Sequence, residues 1–187
     1  MGSPDENDPL NRRVSVVVAI AATFLTICNV KDSNIVQAMQ QSQAEVVNRW
    51  AYFQAKSTKQ QVAGAAADEI DALRSTVTDP AALVKLDALV AQWRADVERY
   101  EHEKKEIEAS AHAAEKVYAT LNLRDDQFDM SEASLSLSIA LMGITALTRQ
   151  KWLLVLGTVF AGFGIFMAIC GFASLSVHPD ALASLLT

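Results

Sequence analysis

Hydrophobic and polar positions are sorted along this chain into blocks. Residues 14–30, 133–148 and 152–177 carry no charge at all. Of the 16 Lys and Arg and 22 Asp and Glu, 29 fall between Lys31 and Asp129. Crossing the hydrocarbon of a bilayer takes roughly 20 mostly apolar residues, with about 17 as a lower bound. Residues 14–30 meet that bound and are read as a first span. Residues 152–177 exceed it and are read as a third. Residues 131–148 are Ser-rich, with Glu132 at their edge, and are read as the second span because the short connection 149–151 ties them to the third. The predicted fold is all-α: three transmembrane helices plus a long antiparallel coiled-coil helical hairpin between the first and second spans.

The hairpin occupies residues 31–130. From Ser33 to Val77 there is no proline and one glycine, Gly64. Asp79 and Pro80 then supply a helix cap and a first helical position, which places the turn at 78–80. Leu83, Leu86, Val90, Trp93, Val97, Tyr100, Lys104, Ile107, Ala111, Ala114, Tyr118 and Leu121 alternate at three and four residues, the spacing of a coiled-coil seam. The first arm is less regular. Val36, Met39, Val46, Trp50 and Phe53 keep one register, and Ala63, Ala66, Ile70, Leu73 and Val77 another, so a distortion is expected over 54–62. Arms of matched length pair Trp50 with Ile107 and Ile70 with Leu89.

Each span carries small residues at similar spacing: Ser15, Ala19, Ala22, Thr26 and Asn29 in the first; Ser134, Ser138, Thr145 and Thr148 in the second; Gly157, Ala161, Gly164, Ala168 and Gly171 in the third. Small residues let helices approach closely in lipid. These stripes pack either within the chain or against a neighbouring subunit, and a homo-oligomer is expected.

Charge sets the orientation. Lys and Arg near span ends mark the cytoplasmic side, and Arg12, Arg13, Arg149 and Lys151 fall on one side of a three-span chain. The N-terminal tail 1–13 and the loop 149–151 are then cytoplasmic. The hairpin and the C-terminal tail 178–187 are extracytoplasmic, with Asp125, Asp126 and Asp129 at the outer surface. The apolar run after Arg12-Arg13 continues past Ala19-Ile20-Ala21, so it is read as an uncleaved anchor. The net charge of −6 excludes a nucleic-acid binder, which needs a basic patch. Cys28 and Cys170 sit in apolar runs and read as buried apolar residues rather than a disulfide framework.

Catalytic signatures are absent from the sequence: there is no Gly-rich phosphate loop, no nucleophile elbow and no paired carboxylates on a pocket-like scaffold. His102 shares a helix face with Glu98 and Glu106, and His112 one with Glu108. Neither spacing is that of a di-iron or zinc motif. No cofactor and no metal is expected, and the chain does not read as an enzyme. Its densest feature is Asn48-Arg49-Trp50-Ala51-Tyr52-Phe53-Gln54-Ala55-Lys56, with Arg49, Trp50, Tyr52, Phe53 and Lys56 as a candidate surface for a protein partner. This stretch, with Arg12-Arg13 before an apolar anchor and a closing pair of spans, resembles a bacterial membrane-protein family of unknown function, of the domain of unknown function 4337 type. The resemblance implies a multi-pass protein of the bacterial plasma (inner) membrane and no known activity. The expected role is a non-enzymatic membrane scaffold; the alternative is a channel or transporter accessory subunit lined by the Ser/Thr face of the second span.

Overall fold

A computed structural model describes residues 9–175 and 177. The N-terminal residues 1–8, Ser176, and the C-terminal tail 178–187 with His178 lie outside the described residues. The chain forms three α-helices: α1 (Pro9–Arg74), α2 (Pro80–Thr148) and α3 (Lys151–Ala173). All three are long and apolar enough to cross a membrane.

The helix ends follow local chemistry. Pro9 opens α1 and Pro80 opens α2, at positions where a missing N–H costs nothing. Asp79 accepts hydrogen bonds from the amides of Ala81 and Ala82, both at 3.3 Å. The first arm ends at Arg74, ahead of the turn expected at 78–80. Ser75 and Thr76 explain this: their hydroxyls bond the carbonyls of Ala72 and Leu73 at 2.7 Å and compete with the helical ladder. Only Arg149 and Gln150 separate α2 from α3, and Arg149 takes a left-handed conformation, φ 58°. α3 ends earlier than the expected third span, at Ala173 rather than Val177, because Ser174 turns left-handed (φ 53°) and Leu175 N–H bonds the carbonyl of Cys170.

The chain divides into two compact units. Unit 1 comprises Met1–Gln40 with Ala119–Thr187. Its core joins Cys28 and Ile35 of α1, Phe128 of α2 and Ala168 of α3. Phe128 also meets Phe172 edge to face, with ring centroids 5.1 Å apart. The α3 stripe of Gly157, Ala161, Gly164, Ala168 and Gly171 is buried. It packs on Phe128, Ser131, Leu135, Ser138 and Met142 of α2. A Cβ at Gly164 would lie 2.8 Å from Leu135 Cγ and 3.0 Å from the Ser131 carbonyl, and one at Gly171 would lie 2.8 Å from the Phe128 ring. Glycine is what lets these backbones meet. The far end of α3 is held by α2: Gln127, fully buried, donates from Nε2 to the carbonyls of Leu175 and Val177 at 2.7 Å, and Arg124 Nε donates to the Gly171 carbonyl.

The first-span stripe is placed differently from expectation. Ala19, Thr26, Ser15 and Asn29 are exposed and Ala22 is half-buried. The buried positions are Val14, Ala21, Cys28 and Ile35, seven residues apart. The Ser15 and Thr26 hydroxyls turn back on their own helix, to the carbonyls of Asn11 and Ala22. In the second span Ser138 and Thr145 are buried, Ser134 is half-buried and Thr148 is exposed.

Unit 2 is Gln41–Tyr118. The α2 positions from Leu83 to Tyr118 that alternate at three and four are all buried or half-buried. On α1 the two offset registers and the distortion over 54–62 are not found. α1 is one uninterrupted helix. Ser42, Val46, Arg49, Phe53, Lys56, Gln60, Ala63, Ala67 and Ile70 form one stripe at four- and three-residue steps, each buried or half-buried. Leu73, expected in the seam, is 53% exposed. The stripe hid from the sequence because four of its nine members are polar.

Candidate interaction surface

Contacts couple α1 to α2 in reversed order. The Trp50 indole N–H donates to Glu115 Oε1 at 2.8 Å, Lys56 pairs with Glu103, Gln60 Nε2 donates to Glu101 at 2.8 Å, and Arg74 pairs with Asp87 at 2.6 Å. The Trp50 indole thus reaches Glu115, which lies about two turns along α2 from Ile107, its expected partner. Its neighbours are Glu115 and His112, whose ring centroid is 5.4 Å away. His112 in turn bonds Glu115 Oε2 at 2.7 Å, not Glu108. One carboxylate thus serves two rings, and hydrogen bonds from His112 and then Trp50 hold Glu115 below its usual range. His102 pairs with Glu106 at 3.6 Å on an exposed face.

The middle of unit 2 is a polar layer built on aromatic walls. Gln60 donates to Glu101 and accepts from Lys104 Nζ at 2.9 Å. Lys56 Nζ lies 5.4 Å from the Tyr52 ring centroid and 5.3 Å from that of Tyr100, and Lys104 Nζ lies 5.4 Å from that of Phe53. The hydrogen bond to Glu103 raises Lys56 and lowers Glu103; the bond from Gln60, then Lys104, lowers Glu101. Polar residues at seam positions fix partner and register at some cost in stability. The sequence could not show this layer, because Gln60 and Lys104 are 44 residues apart.

The five residues singled out as a surface therefore split. Trp50, Phe53 and Lys56 turn toward α2. Arg49 and Tyr52 line a shallow groove of about 610 Å³ with Glu45, Asn48, Ile107 and Ser110. Tyr52 is 54% exposed, and Arg49 is held by Glu45 at 2.6 Å.

Unit 1 gathers acids. Asp32 of α1 meets Asp125, Asp129 and Glu132 of α2. Of these, only Asp125 and Asp129 were visible as a group in the sequence. Desolvation, then the charge of Asp32, pushes Asp125 up to about 6. Desolvation likewise raises Asp32 and Asp129. Among the described residues no three His, Cys, Asp or Glu side chains are grouped so as to hold a metal ion. Cys28 and Cys170 are buried free thiols, and Cys28 Sγ lies 3.6 Å from Ser131 Oγ.

No curated protein and no solved structure matches the chain. A family model matches residues 10–174, which is every helix apart from the first residue of α1. The chain belongs to the family described as Domain of unknown function (DUF4337).

Proposed function

We propose that this protein is a non-enzymatic integral membrane scaffold that homo-oligomerises and presents a helical hairpin to partners outside the cytoplasm of a bacterial cell. The observation that carries the reading is the sorting of unit 1. Val16, Ile20, Ile27, Leu137, Ile144, Leu147, Val155, Val159, Phe166 and Ile169 are exposed, on all three apolar segments. Two hydroxyls of the second span turn inward: Ser138 donates to Gly157 of α3, and Thr145, fully buried, bonds its own helix at Leu141. Apolar outside and polar inside is the arrangement lipid requires. It also leaves the Ser/Thr face occupied by α3 rather than open to an axis, which favours the scaffold over a pore. The reversed order of contacts in unit 2 supports an antiparallel coiled-coil hairpin, and the outward Ala19 and Thr26 support a contact between copies.

Three measurements test this. Alkaline carbonate should leave the protein in the membrane pellet. Thr78→Cys should react with an impermeant maleimide in intact cells, the two native thiols being buried. Sizing in detergent should give a mass above that of one chain plus its micelle. Release by carbonate removes the membrane reading, labelling only after permeabilisation inverts the orientation, and a clean monomer removes the oligomer.

A further inference from the structure

A groove of about 620 Å³ opens on unit 1 between the first turns of α1 and those of α3. Its walls divide by chemistry. Arg12 and Arg13 lie at one end; Val16, Val17 and Leu154 continue from them along the two helices, with Thr158 beyond. Both arginines are exposed, and among the described residues neither makes an ion pair. The Thr158 hydroxyl is turned onto its own helix, to the Leu154 carbonyl at 2.7 Å, so the surface past the arginines presents carbon.

We propose that this groove binds one anionic phospholipid, its headgroup phosphate between Arg12 and Arg13 and an acyl chain along Val16, Val17 and Leu154. The inference rests on the membrane reading above. Charge complementarity names the occupant. Two guanidinium groups select an anion, and guanidinium matches phosphate oxygens in a bidentate fork. An apolar channel running from them selects a molecule whose anion carries a hydrocarbon tail. Basic pockets between membrane helices at the cytoplasmic face are where acidic headgroups dock. The amino ends of α1 and α3 both lie at this groove, and their dipoles add positive potential to that of the arginines.

Native mass spectrometry of the full chain, purified in detergent and offered equal phosphatidylglycerol and phosphatidylcholine, tests the assignment. The wild type should retain phosphatidylglycerol preferentially. Arg12→Gln with Arg13→Gln should lower that retention roughly 25-fold, about five-fold for each charge. Leu154→Trp, which fills the channel and keeps both charges, should lower it as well. Lys151→Gln, a cation outside the groove, should leave it unchanged. Equal retention of the two lipids overturns the proposal, as does a Lys151→Gln loss equal to that of the arginine pair, which marks diffuse attraction. Displacement by millimolar glycerol phosphate also overturns it, because the site would then hold a free phosphate rather than a lipid. Circular dichroism of each variant separates lost binding from lost fold. Carbonate extraction of the wild type separates the two readings: protein that stays in the membrane without lipid preference refutes only this one.

Discussion

The Ser138 hydroxyl donates a 2.7 Å hydrogen bond to the carbonyl of Gly157, from α2 to α3. The donor is fully buried, and its acceptor belongs to a residue with no side chain to hold the helices apart. Interhelical hydrogen bonds of this kind are worth about 0.6 kcal/mol on average and up to about 1.7. Ser138→Ala should destabilise unit 1 by that order, read as a lower unfolding midpoint in detergent.

The glycines of α3 should grade by what a methyl group meets. Gly164→Ala drives a Cβ against the branch carbon of Leu135 and the Ser131 carbonyl, which cannot swing aside. A cost of about 1–3 kcal/mol follows. Gly157→Ala meets first the mobile end of Met142 and should cost less. Gly162→Ala meets nothing within 4 Å and should not lower stability. A thermal series in one detergent ranks the three, and equal losses would mean that α2 and α3 are not packed as described.

Acidity should act on the two units with opposite sign. Asp125 has a folded-state value of about 6 against an ordinary 3.8. Between those values the folded form holds a proton that the unfolded form has lost, so stability falls as pH rises through the window, and above it the penalty is complete. The group keeps partial access to water, so the penalty at pH 7.5 is on the order of 1 kcal/mol. Glu101, Glu103 and Glu115 are lowered from 4.5, so their contribution is present above that value and is lost as pH falls below it. The midpoint should be highest near pH 5. Asp125→Asn should shrink the difference between pH 5 and pH 7.5, leaving the smaller part due to Asp32 and Asp129; a difference that is unchanged assigns it elsewhere.

The polar layer of unit 2 predicts a rescue. Gln60→Leu leaves Lys104 only its longer contact with Glu101, at 3.5 Å, and should lower the melting midpoint. Lys104→Met in the same chain should recover it, because Glu101 is half exposed and retains Lys105 at 3.9 Å. Two independent losses that simply add would show that the bridge is not formed.

Asp79→Ala removes the acceptor for two amides at the start of α2 and should cost about 1 kcal/mol. Asp79→Ser should keep most of it. The readout is the same thermal midpoint.

How much was legible in the sequence depended on whether burial matched residue type. The α3 stripe could be read directly, because Gly157, Gly164 and Gly171 are buried and small for the same reason. The second arm was equally legible, since Lys104 is the one polar member of its seam. The first arm was not. Ser42, Arg49, Lys56 and Gln60 occupy inward positions, their polar atoms met by partners such as Ala114, Glu103 and Glu101. Exposed Val36 and Leu73 imitated a seam. In the first span small side chains marked the outward face, while Val14, Ala21, Cys28 and Ile35 made the inward one. The meeting of Asp32 with Asp125 joins distant segments and left no local trace.

The two-residue link at Arg149 and Gln150 bears on how such a chain is made. The second apolar segment is the less hydrophobic of the closing pair, with a mean hydropathy of 1.4 against 2.4 for α3. The serines that lower its figure include Ser138, which α3 satisfies. During synthesis the strongly apolar segment emerges almost immediately behind the weak one. On the membrane reading proposed above, the two would leave the translocation machinery as a single folded-back pair, so lengthening the link should impair biogenesis before it impairs the finished protein.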